Sequence, residues 1–397
     1  HTQRNAIRGG TVMDEKVLRE LDGFDEIVEE IKISRKFGFD YSVAGDEVDR
    51  YVNRLHPPKL DLVVSKIIDE TEDAKTLRLV AKDGYLPPFQ AGQYIALVVN
   101  MGNVITTRPY SISSSPEQTA YYDITVRRVK DGMVSEYLVD QLKPGDELGS
   151  SAPAGDFVYN PVIHSKEQVY IAGGSGVTPF VSMIRQVADR RLDRTIHLFY
   201  GNSTDSSILF HNELMDISSA CDNINYYPVI ESPTGAVACE TGLITADLIT
   251  SKVGDINGKT FYMCGPTAMY DFCREQLESL SIPRKHMRTE MYGMPYDITA
   301  YPGWPPEVGG DKEFTFKVEG QKSFTGKASD SILKTLELNG LRIPSLCRSG
   351  ECSLCRVKLV SGQVFQPEGV LLRKSDVKYG YIHSCAAFPL SNIELVL

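Results

Sequence analysis

Four cysteines near the C-terminus constrain this 397-residue chain more than any other feature. Cys347, Cys352 and Cys355 lie in one short segment, and Cys385 follows thirty residues later. This C-x4-C-x2-C…C spacing is one in which four thiolates hold a [2Fe-2S] cluster. Gly350 allows the segment to curl so that backbone N–H groups approach the sulfurs. Zinc is the alternative, but zinc sites usually need two C-x2-C pairs or a Cys/His set, and this chain has one such pair.

Residues 312–397 around these cysteines are predicted to form a β-grasp domain. With the cysteine spacing, the pattern resembles the plant-type ferredoxins, and this resemblance implies a domain that carries one electron at a time. The predicted elements are a hairpin over 314–318 and 321–327, a helix over 331–338, and a hairpin over 356–360 and 363–365.

Composition and charge limit the classes of function. No apolar run approaches the ~18 residues that cross a bilayer, and no signal peptide is recognised, so we expect a soluble, cytoplasmic protein without a membrane span. The other four cysteines lack framework spacing, which favours reduced thiols. A net charge of -10 argues against nucleic acid as a partner. Residues 311–397 nevertheless balance to +3.

Residues 1–58 are predicted to be a helical N-terminal extension. Apolar residues recur at roughly helical spacing over 12–33, which favours one or two short helices. The segment 35–51 is expected to be an irregular arm, and His56-Pro57-Pro58 a stiff break. We expect packing or docking, rather than catalysis, from this extension.

Residues 59–163 are predicted to form an antiparallel β-barrel, because short alternating runs are separated by turn residues. Two motifs within this range resemble the FAD-binding domain of the ferredoxin-NADP reductase superfamily. The first is Arg108-Pro109-Tyr110-Ser111 and the second is Gly132-Met133-Val134-Ser135. The resemblance implies that Arg108 pairs with the flavin pyrophosphate, Tyr110 lies on the isoalloxazine and Ser111 acts near N5. It also implies that the second motif offers a helix start to the phosphates, with FAD favoured over FMN.

Residues 164–293 are predicted to form an α/β domain with a parallel sheet, because strands and helices alternate. The run 168–172 leads into a glycine turn typical of an anion cradle at a helix start. The superfamily resemblance extends to Cys264-Gly265-Pro266, where it implies that nicotinamide meets the flavin and that Cys264 is catalytic. A small buried thiol is the alternative for Cys264. The implied nucleotide-binding residues are Gly173, Gly174, Gly176, Thr178, Pro179, Gly265 and Pro266.

NADH is expected to be preferred to NADPH. Selection of a 2′-phosphate requires a basic partner after the second strand of the nucleotide domain. The segment 202–207 offers none and contains Asp205.

Residues 294–311 are predicted to be a semi-rigid linker, because prolines surround Trp304. The order of domains resembles the reductase components with a C-terminal ferredoxin, of the phthalate dioxygenase, phenylacetyl-CoA epoxidase and hybrid cluster protein reductase type. The resemblance implies an enzyme that passes electrons from NADH through FAD and [2Fe-2S] to a protein acceptor such as an oxygenase. The alternatives are a reductase for an anaerobic or metal-cofactor enzyme, a redox sensor, and a subunit of a permanent complex.

Basic residues near the cysteines predict a docking face for that acceptor. Arg348 and Arg356 flank the cluster cysteines, and Arg373, Lys374 and Lys378 precede Cys385. Because exposed charges are screened by salt, electron delivery through such a face should slow as salt rises.

Overall fold

Two helices form the described part of the first unit of the chain, residues 1–56; residues 57–397 form the second unit. The computed structural model describes residues 23–36, 45–295 and 297–397. Helix α1 spans Phe24–Lys36 and α2 spans Gly45–Leu55. The predicted helix over 12–33 lies partly outside the described residues. The predicted irregular arm over 35–51 is wrong from Gly45 onward, because apolar residues recur there at helical spacing.

An antiparallel sheet begins the second unit. Its strand order is β4-β3-β6-β1-β2-β5, and a bridge between Ile112 and Ile124 brings the edge strands β4 and β5 together. This confirms the predicted barrel fold. The strands are β1 Leu60–Thr71, β2 Ala74–Ala81, β3 Tyr94–Met101, β4 Val104–Ser111, β5 Tyr122–Arg127 and β6 Glu147–Ser150. After β5, helix α3 (Met133–Glu136) continues as a π-helical turn, Tyr137–Gln141. We call this part the barrel domain.

A parallel sheet follows, with strand order β10-β9-β8-β7-β11-β12 and helices on both faces. Its central strands are buried on both sides, which explains their continuous apolar sequence. The strands are β7 Glu167–Gly173, β8 Thr195–Asn202, β9 Ile224–Ile230, β10 Glu240–Thr241, β11 Thr260–Cys264 and β12 Met287–Glu290. The α-helices are α4 Thr178–Arg190, α5 His211–Ala220, α6 Ala246–Val253 and α7 Thr267–Ser279; 3-10 turns span Gly174–Val177, Asp205–Ser207 and Arg284–His286. We call this part the parallel-sheet domain.

The C-terminal domain has a five-stranded sheet, in the order β14-β13-β19-β15-β17, and a two-stranded ribbon of β16 and β18. Its strands are β13 Glu313–Val318, β14 Phe324–Lys327, β15 Arg356–Ser361, β16 Val364–Phe365, β17 Tyr381–His383, β18 Phe388–Pro389 and β19 Ile393–Val396. Its helices are α8 Ile332–Leu338 and α9 Lys374–Lys378, with a 3-10 turn at Ser384–Ala386.

One of the two hairpins predicted for this domain is correct. Strands β13 and β14 pair as expected. The second predicted hairpin is wrong, since β15 pairs with β17 and β19 while β16 pairs with β18. At the predicted turn, a Cβ on Gly362 would lie 2.3 Å from the carbonyl oxygen of Asn392, so the chain passes against another segment there.

The segment between the parallel-sheet and C-terminal domains is packed rather than free. Trp304 is 8% exposed and contributes to a small core with Phe314 and Phe388. Its indole N–H donates to the carbonyl oxygen of Val308 at 2.8 Å. A 3-10 turn at Ile298–Ala300 belongs to the same core. The segment is therefore attached to the C-terminal domain along much of its length.

Across residues 23–36, 45–295 and 297–397, no helix has both the length and the apolar character that a bilayer crossing requires.

Candidate flavin, nucleotide and cluster site

Arg108 on β4 is a largely desolvated cation. Its Nη1 donates to Thr106 Oγ1 at 2.6 Å and to the carbonyl oxygen of Thr107 at 2.8 Å. Burial, together with the positive charge of Arg348, lowers the pKa of Arg108 to about 10. The side chain is still charged at neutral pH, and within the described residues it forms no salt bridge. A buried cation without a carboxylate partner suits a bound phosphate group.

Ser111 and Cys264 come together around Tyr292. The Ser111 Oγ lies 2.6 Å from the Tyr292 hydroxyl, which is also 3.5 Å from Thr178 Oγ1. The same hydroxyl interacts with the thiol of Cys264, which is fully buried and whose pKa burial raises well above its usual value. Burial likewise raises the pKa of Tyr110 and that of Tyr292. Both predicted catalytic residues therefore contact the same tyrosine hydroxyl, and the Cys264 thiol stays protonated near pH 7.

Tyr292 is not among the site residues predicted from the sequence. Its segment has the sequence pattern of a closing strand, but β12 ends at Glu290 and Tyr292 lies just beyond it. A tyrosine two residues after the end of a sheet strand could have suggested a ring at the sheet's carboxyl edge. Its contact with Ser111 joins positions 181 residues apart, and the sequence alone carries no direct signal for such a contact.

The glycines of the nucleotide turn have a packing role that the sequence did not indicate. A Cβ on Gly176 would lie 2.3 Å from the carbonyl oxygen of Cys264. One on Gly173 would lie 2.5 Å from Met269 Sδ, and one on Gly265 would lie 2.4 Å from Met269 Cε. These glycines therefore allow the turns after β7 and β11 to approach each other. Pro179 in the first turn of α4 and Pro266 just before α7 suit the helix starts that follow the two turns.

Two further side chains near the nucleotide turn were not predicted. Asn202, at the end of β8, is 6% exposed, and among the described residues neither polar atom of its amide has a hydrogen-bond partner of good geometry. Arg127 reaches from the barrel domain and donates to the carbonyl oxygen of Ser207, and its Nε forms an ion pair with Asp73 Oδ2 at 3.6 Å. Its Nη1 would lie 3.5 Å from a Cβ on Gly174. Orphaned polar groups around this turn fit a bound dinucleotide that would satisfy them.

Two side chains of the stretch Gly132-Met133-Val134-Ser135 make local contacts within the barrel domain. The Oγ of Ser135 accepts from the backbone N–H of Val129 and donates to the carbonyl oxygen of Gly132, each at 3.0 Å. The side chain of Val134 belongs to the core of the barrel domain. Any contact between this stretch and a phosphate would therefore fall to the backbone.

The four cysteines lie as two thiol pairs. Cys347 hydrogen-bonds with Cys352, which lowers the pKa of Cys347 to about 4, and Cys355 hydrogen-bonds with Cys385, which lowers the pKa of Cys355 to about 7. Cys347 Sγ also accepts the backbone N–H of Cys352 at 3.3 Å. In the part of the chain that the structure describes, no three Cys, His, Asp or Glu side chains form a single-ion site. Two adjacent thiol pairs fit a binuclear cluster better than one tetrahedral zinc.

The cluster loop has the backbone that its sequence suggested. Gly350 has φ 84° and lies against Val370 and Ala386, so a Cβ there would be crowded. Arg348 and Ser353 also adopt positive φ, at 56° and 60°. Three left-handed residues in so short a segment produce the curl that brings Cys347, Cys352 and Cys355 together.

Strand β4 also contacts the cluster loop. Thr107 Oγ1 lies 2.7 Å from Ser345 Oγ, and Thr106 Oγ1 donates to Glu337 Oε2 at 2.9 Å. Thr106 and Thr107 immediately precede Arg108. One strand therefore carries the flavin motif and supports the segment that bears the cluster cysteines.

The predicted docking face lacks Arg348. The side chain of Arg348 is only 10% exposed and forms a bidentate ion pair with Glu337, so its assignment to an exposed face is wrong. Arg356 stays exposed, although it pairs with the buried Asp376 at 2.8 Å. The basic residues Arg373, Lys374 and Lys378 are also exposed.

Glu290, at the end of β12, is a buried carboxyl group. Its Oε2 is buried and has no hydrogen-bond partner within the described part of the chain. Burial raises its pKa well above 4.5, and the nearby charges of Glu351 and Asp156 raise it further. The native state therefore keeps this proton at pH values where the unfolded chain has released it. Because the native state binds more protons over that range, the group lowers the free energy of unfolding as pH rises above 4.5.

We therefore expect Glu290→Gln, which cannot ionise, to stabilise the protein more at pH 8 than at pH 5. Thermal unfolding midpoints at the two pH values measure this. Glu275→Gln, on the exposed side of α7, is the matched control and should show no such difference. An equal shift for Glu290→Gln at both pH values would contradict the assignment of a protonated, buried carboxyl group.

Three family models match the chain in the order of its sheets. They are an oxidoreductase FAD-binding domain over residues 61–159, an oxidoreductase NAD-binding domain over 170–275 and a 2Fe-2S iron-sulfur cluster binding domain over 316–390. Together with the geometry above, they define an NADH-dependent flavoprotein oxidoreductase whose cofactors are FAD and a [2Fe-2S] cluster.

Two relatives and one solved structure show which members of this class the chain is similar to. The chain is 29% identical to NADH oxidoreductase HCR of Escherichia coli over 84% of this chain and 96% of the relative. It is also 29% identical to the glycine betaine monooxygenase reductase subunit of Chromohalobacter salexigens, over 83% and 93%. A solved phthalate dioxygenase reductase matches with a TM-score of 0.64 and 26% identity, over 85% of this chain and 97% of that one. The chain is therefore similar over most of its length to iron-sulfur flavoprotein reductases, and its three matched domains are those that pass electrons from NADH through FAD to a [2Fe-2S] cluster.

Proposed function

We propose that this chain is the reductase component of an oxygenase and delivers electrons singly to a separate oxygenase protein. The observation that carries the proposal is the double role of β4. Arg108, Tyr110 and Ser111 on this strand would hold the flavin, while Thr106 and Thr107 on the same strand contact the cluster loop. The two redox centres then share one rigid support. A flavin and an iron-sulfur cluster held by one strand would let the protein accept two electrons together and pass them on one at a time.

The residues of the pocket have distinct roles in this proposal. When bound, FAD accepts a hydride from NADH and the cluster accepts electrons one at a time. Arg108 would bind the flavin phosphate and Ser111 would orient the reacting edge of the ring by a hydrogen bond. Tyr292 lies against Ser111, Thr178 and Cys264, and would have to move aside or share the pocket when a nicotinamide enters. Cys264 would line that position as a neutral, desolvated thiol.

The acceptor would dock beside Cys352, the exposed member of the four cysteines. Leu354 and Leu371 are exposed nearby, and the backbone N–H of Leu371 donates to the carbonyl oxygen of Gly350 at 3.1 Å, within the cluster loop. Exposed Lys374 and Lys378 follow on α9. An apolar centre with a basic rim fits an acceptor that has an acidic rim around its own iron site.

We expect electron delivery to the oxygenase to slow as salt rises, and Lys374→Glu to slow it at low salt. Rim charges mainly change association rates, and they are screened beyond ~8 Å at physiological ionic strength. Reduction of the oxidised oxygenase component by NADH and this protein, followed at low and high salt, measures the effect. Lys322→Glu, in the turn between β13 and β14, is the control. A rate independent of salt would indicate apolar docking or a permanent complex.

A second candidate acceptor is a redox enzyme that is not an oxygenase. The observation that favours it is the relative HCR, whose name includes no oxygenase although its identity equals that of the monooxygenase reductase subunit. The two candidates differ in a direct assay. An oxygenase partner couples NADH oxidation to O2 consumption and substrate hydroxylation. A non-oxygenase partner is reduced by NADH and this protein at the same rate under argon as in air, and its reduction consumes no O2.

NADH should have a larger kcat/KM than NADPH. The carboxylate of Asp205 accepts the backbone N–H groups of Thr234 and Val237, and the bond from Thr234 lowers the pKa of Asp205. The group is therefore a fixed negative charge near the end of β8, where a 2′-phosphate would be repelled. We expect Ser203→Arg, at an exposed position of the same loop, to narrow the ratio of the two kcat/KM values. A wild-type ratio that favours NADPH would contradict this assignment.

A further inference from the structure

A buried charge cluster joins the C-terminal domain to the barrel domain. Glu337 on α8 and Arg348 in the cluster loop form a bidentate pair, with Nη1–Oε1 2.8 Å and Nη2–Oε2 2.9 Å, and their side chains are 5% and 10% exposed. Both side chains contact Thr106 on β4, since Glu337 Oε2 accepts from Thr106 Oγ1 at 2.9 Å and Arg348 Nη1 donates to it at 3.3 Å.

The hydroxyl of Thr106 lies at the centre of this cluster and makes every hydrogen bond that a hydroxyl can make. A hydroxyl donates one hydrogen bond and accepts two. Thr106 donates to Glu337 and accepts from Arg348 and from Arg108. Two guanidinium groups from different domains therefore meet at one oxygen atom. Any movement of the C-terminal domain away from β4 would break two of these three bonds.

The charges of the cluster do not balance. Arg108 and Arg348 contribute two positive charges and Glu337 contributes one negative charge, all in a largely desolvated interface. Among the described residues, Glu337 is the carboxylate that pairs with Arg348, and Arg108 has none. A buried excess of positive charge is costly unless an anion compensates it. The flavin phosphate proposed for Arg108 would be that anion.

We propose that Thr106, Glu337 and Arg348 form an interdomain latch through which flavin binding at Arg108 and docking of the C-terminal domain stabilise each other. The latch rests on the proposed flavin site at Arg108. Flavin binding offsets the repulsion between Arg108 and Arg348, so it favours the docked arrangement. By linkage, docking strengthens flavin binding by the same factor. Glu337 and Arg348 are positioning residues here, because they act through Arg108 and through the placement of the cluster loop.

Neutral and charged contacts of the interface should behave differently. The hydroxyl pair of Thr107 and Ser345 carries no charge, so it stabilises docking equally with and without flavin. Loss of Arg348 leaves Arg108 and Glu337 balanced without a phosphate, so flavin no longer favours docking. Loss of the Glu337 charge leaves two unpaired arginines, so docking depends on flavin more strongly than in the wild type. The two charge variants are therefore expected to change the coupling in opposite directions.

The experiment measures hydrogen–deuterium exchange of the interface peptides 104–111 and 341–349, in the full chain with and without FAD. In the wild type, FAD should slow exchange of both peptides by at least ~5-fold, the lower end of typical coupling between sites. Arg348→Gln should reduce this ratio to about 1 and weaken FAD binding by the same factor. Glu337→Gln should increase the ratio. Thr107→Val should raise exchange both with and without FAD and leave the ratio unchanged.

Control variants test whether the coupling comes from the latch itself. Lys334→Gln, on the exposed side of α8, should leave exchange and FAD affinity unchanged. Glu337 lies on α8, outside the cluster loop, so Glu337→Gln tests the latch even where Arg348→Gln fails to assemble its cluster, as read from iron content. A wild-type ratio near 1, or a Glu337→Gln ratio equal to that of the wild type, overturns the latch. Retention of FAD by Arg108→Ala would instead overturn the proposed flavin site.

Discussion

Cys355→Ser should leave reduction of the flavin by NADH near the wild-type rate and slow transfer to one-electron protein acceptors by at least ~100-fold, about 2.7 kcal/mol on the barrier. In the proposed site, hydride transfer would take place beside Ser111, Cys264 and Tyr292, none of which lies in the C-terminal domain. The buried thiol of Cys355 pairs with Cys385, and a serine hydroxyl is a poor substitute for a thiolate ligand.

Stopped-flow bleaching of flavin absorbance measures the first step, and cytochrome c reduction measures the second, both at saturating FAD so that a weakened latch does not interfere. Cys221→Ser, at the end of α5, is the matched control and should change neither. An equal loss of both activities in Cys355→Ser would mean that the flavin pocket requires an intact cluster domain, and the relay would have to be rejected.

Arg108→Ala should weaken FAD binding by ~100-fold or more. Hydrogen bonds to charged groups contribute about 1.5–3 kcal/mol each, and ~2.7 kcal/mol corresponds to 100-fold in affinity. Arg108→Lys should lose less, because it keeps the charge but not the planar fork that binds a phosphate through two bonds. The measurement is FAD titration of the flavin-free protein.

Two controls accompany the Arg108 variants. Arg128→Ala removes an exposed arginine of the barrel domain and should retain FAD. Iron content should stay at the wild-type level in Arg108→Ala, since the four cysteines lie in another domain. Wild-type FAD affinity in Arg108→Ala would show that the phosphate lies elsewhere, and the charge balance of the interface would then need another anion.

The sheets of the second unit could be predicted because their patterns are local. Alternation in the barrel strands and the continuous apolar run of β7 each depend on a few neighbouring residues. The cysteine spacing likewise needed no tertiary information. The second hairpin of the C-terminal domain failed because Ser361-Gly362 has local turn chemistry, while the partners of β15 and β16 are supplied by strands β17, β18 and β19. Long-range pairing decided between two locally plausible arrangements.

The sequence suggests individual site residues but not the contacts between them. Arg348 counted as one more basic residue near the cluster until the structure placed Glu337, 11 positions earlier, beside it. Glu337 is near the end of α8 and Arg348 lies in the irregular loop that follows, so no periodicity links the two positions. The same holds for Asn202 and Arg127, which come from different domains; that the amide of Asn202 lacks a partner among the described residues is visible only once burial is known.

The packing of Trp304 determines where this protein can be divided and recombined. A chimera joined at residue 311 would give the new reductase a ferredoxin without Trp304 and Ile298, and would leave Phe314 and Phe388 facing solvent. A junction near Gly293, where nothing lies within 4 Å of a Cβ position, keeps that small core whole. The segment between the parallel-sheet and C-terminal domains should therefore be transferred together with the C-terminal domain. Chimeras that exchange ferredoxins among such reductases should be joined at Gly293.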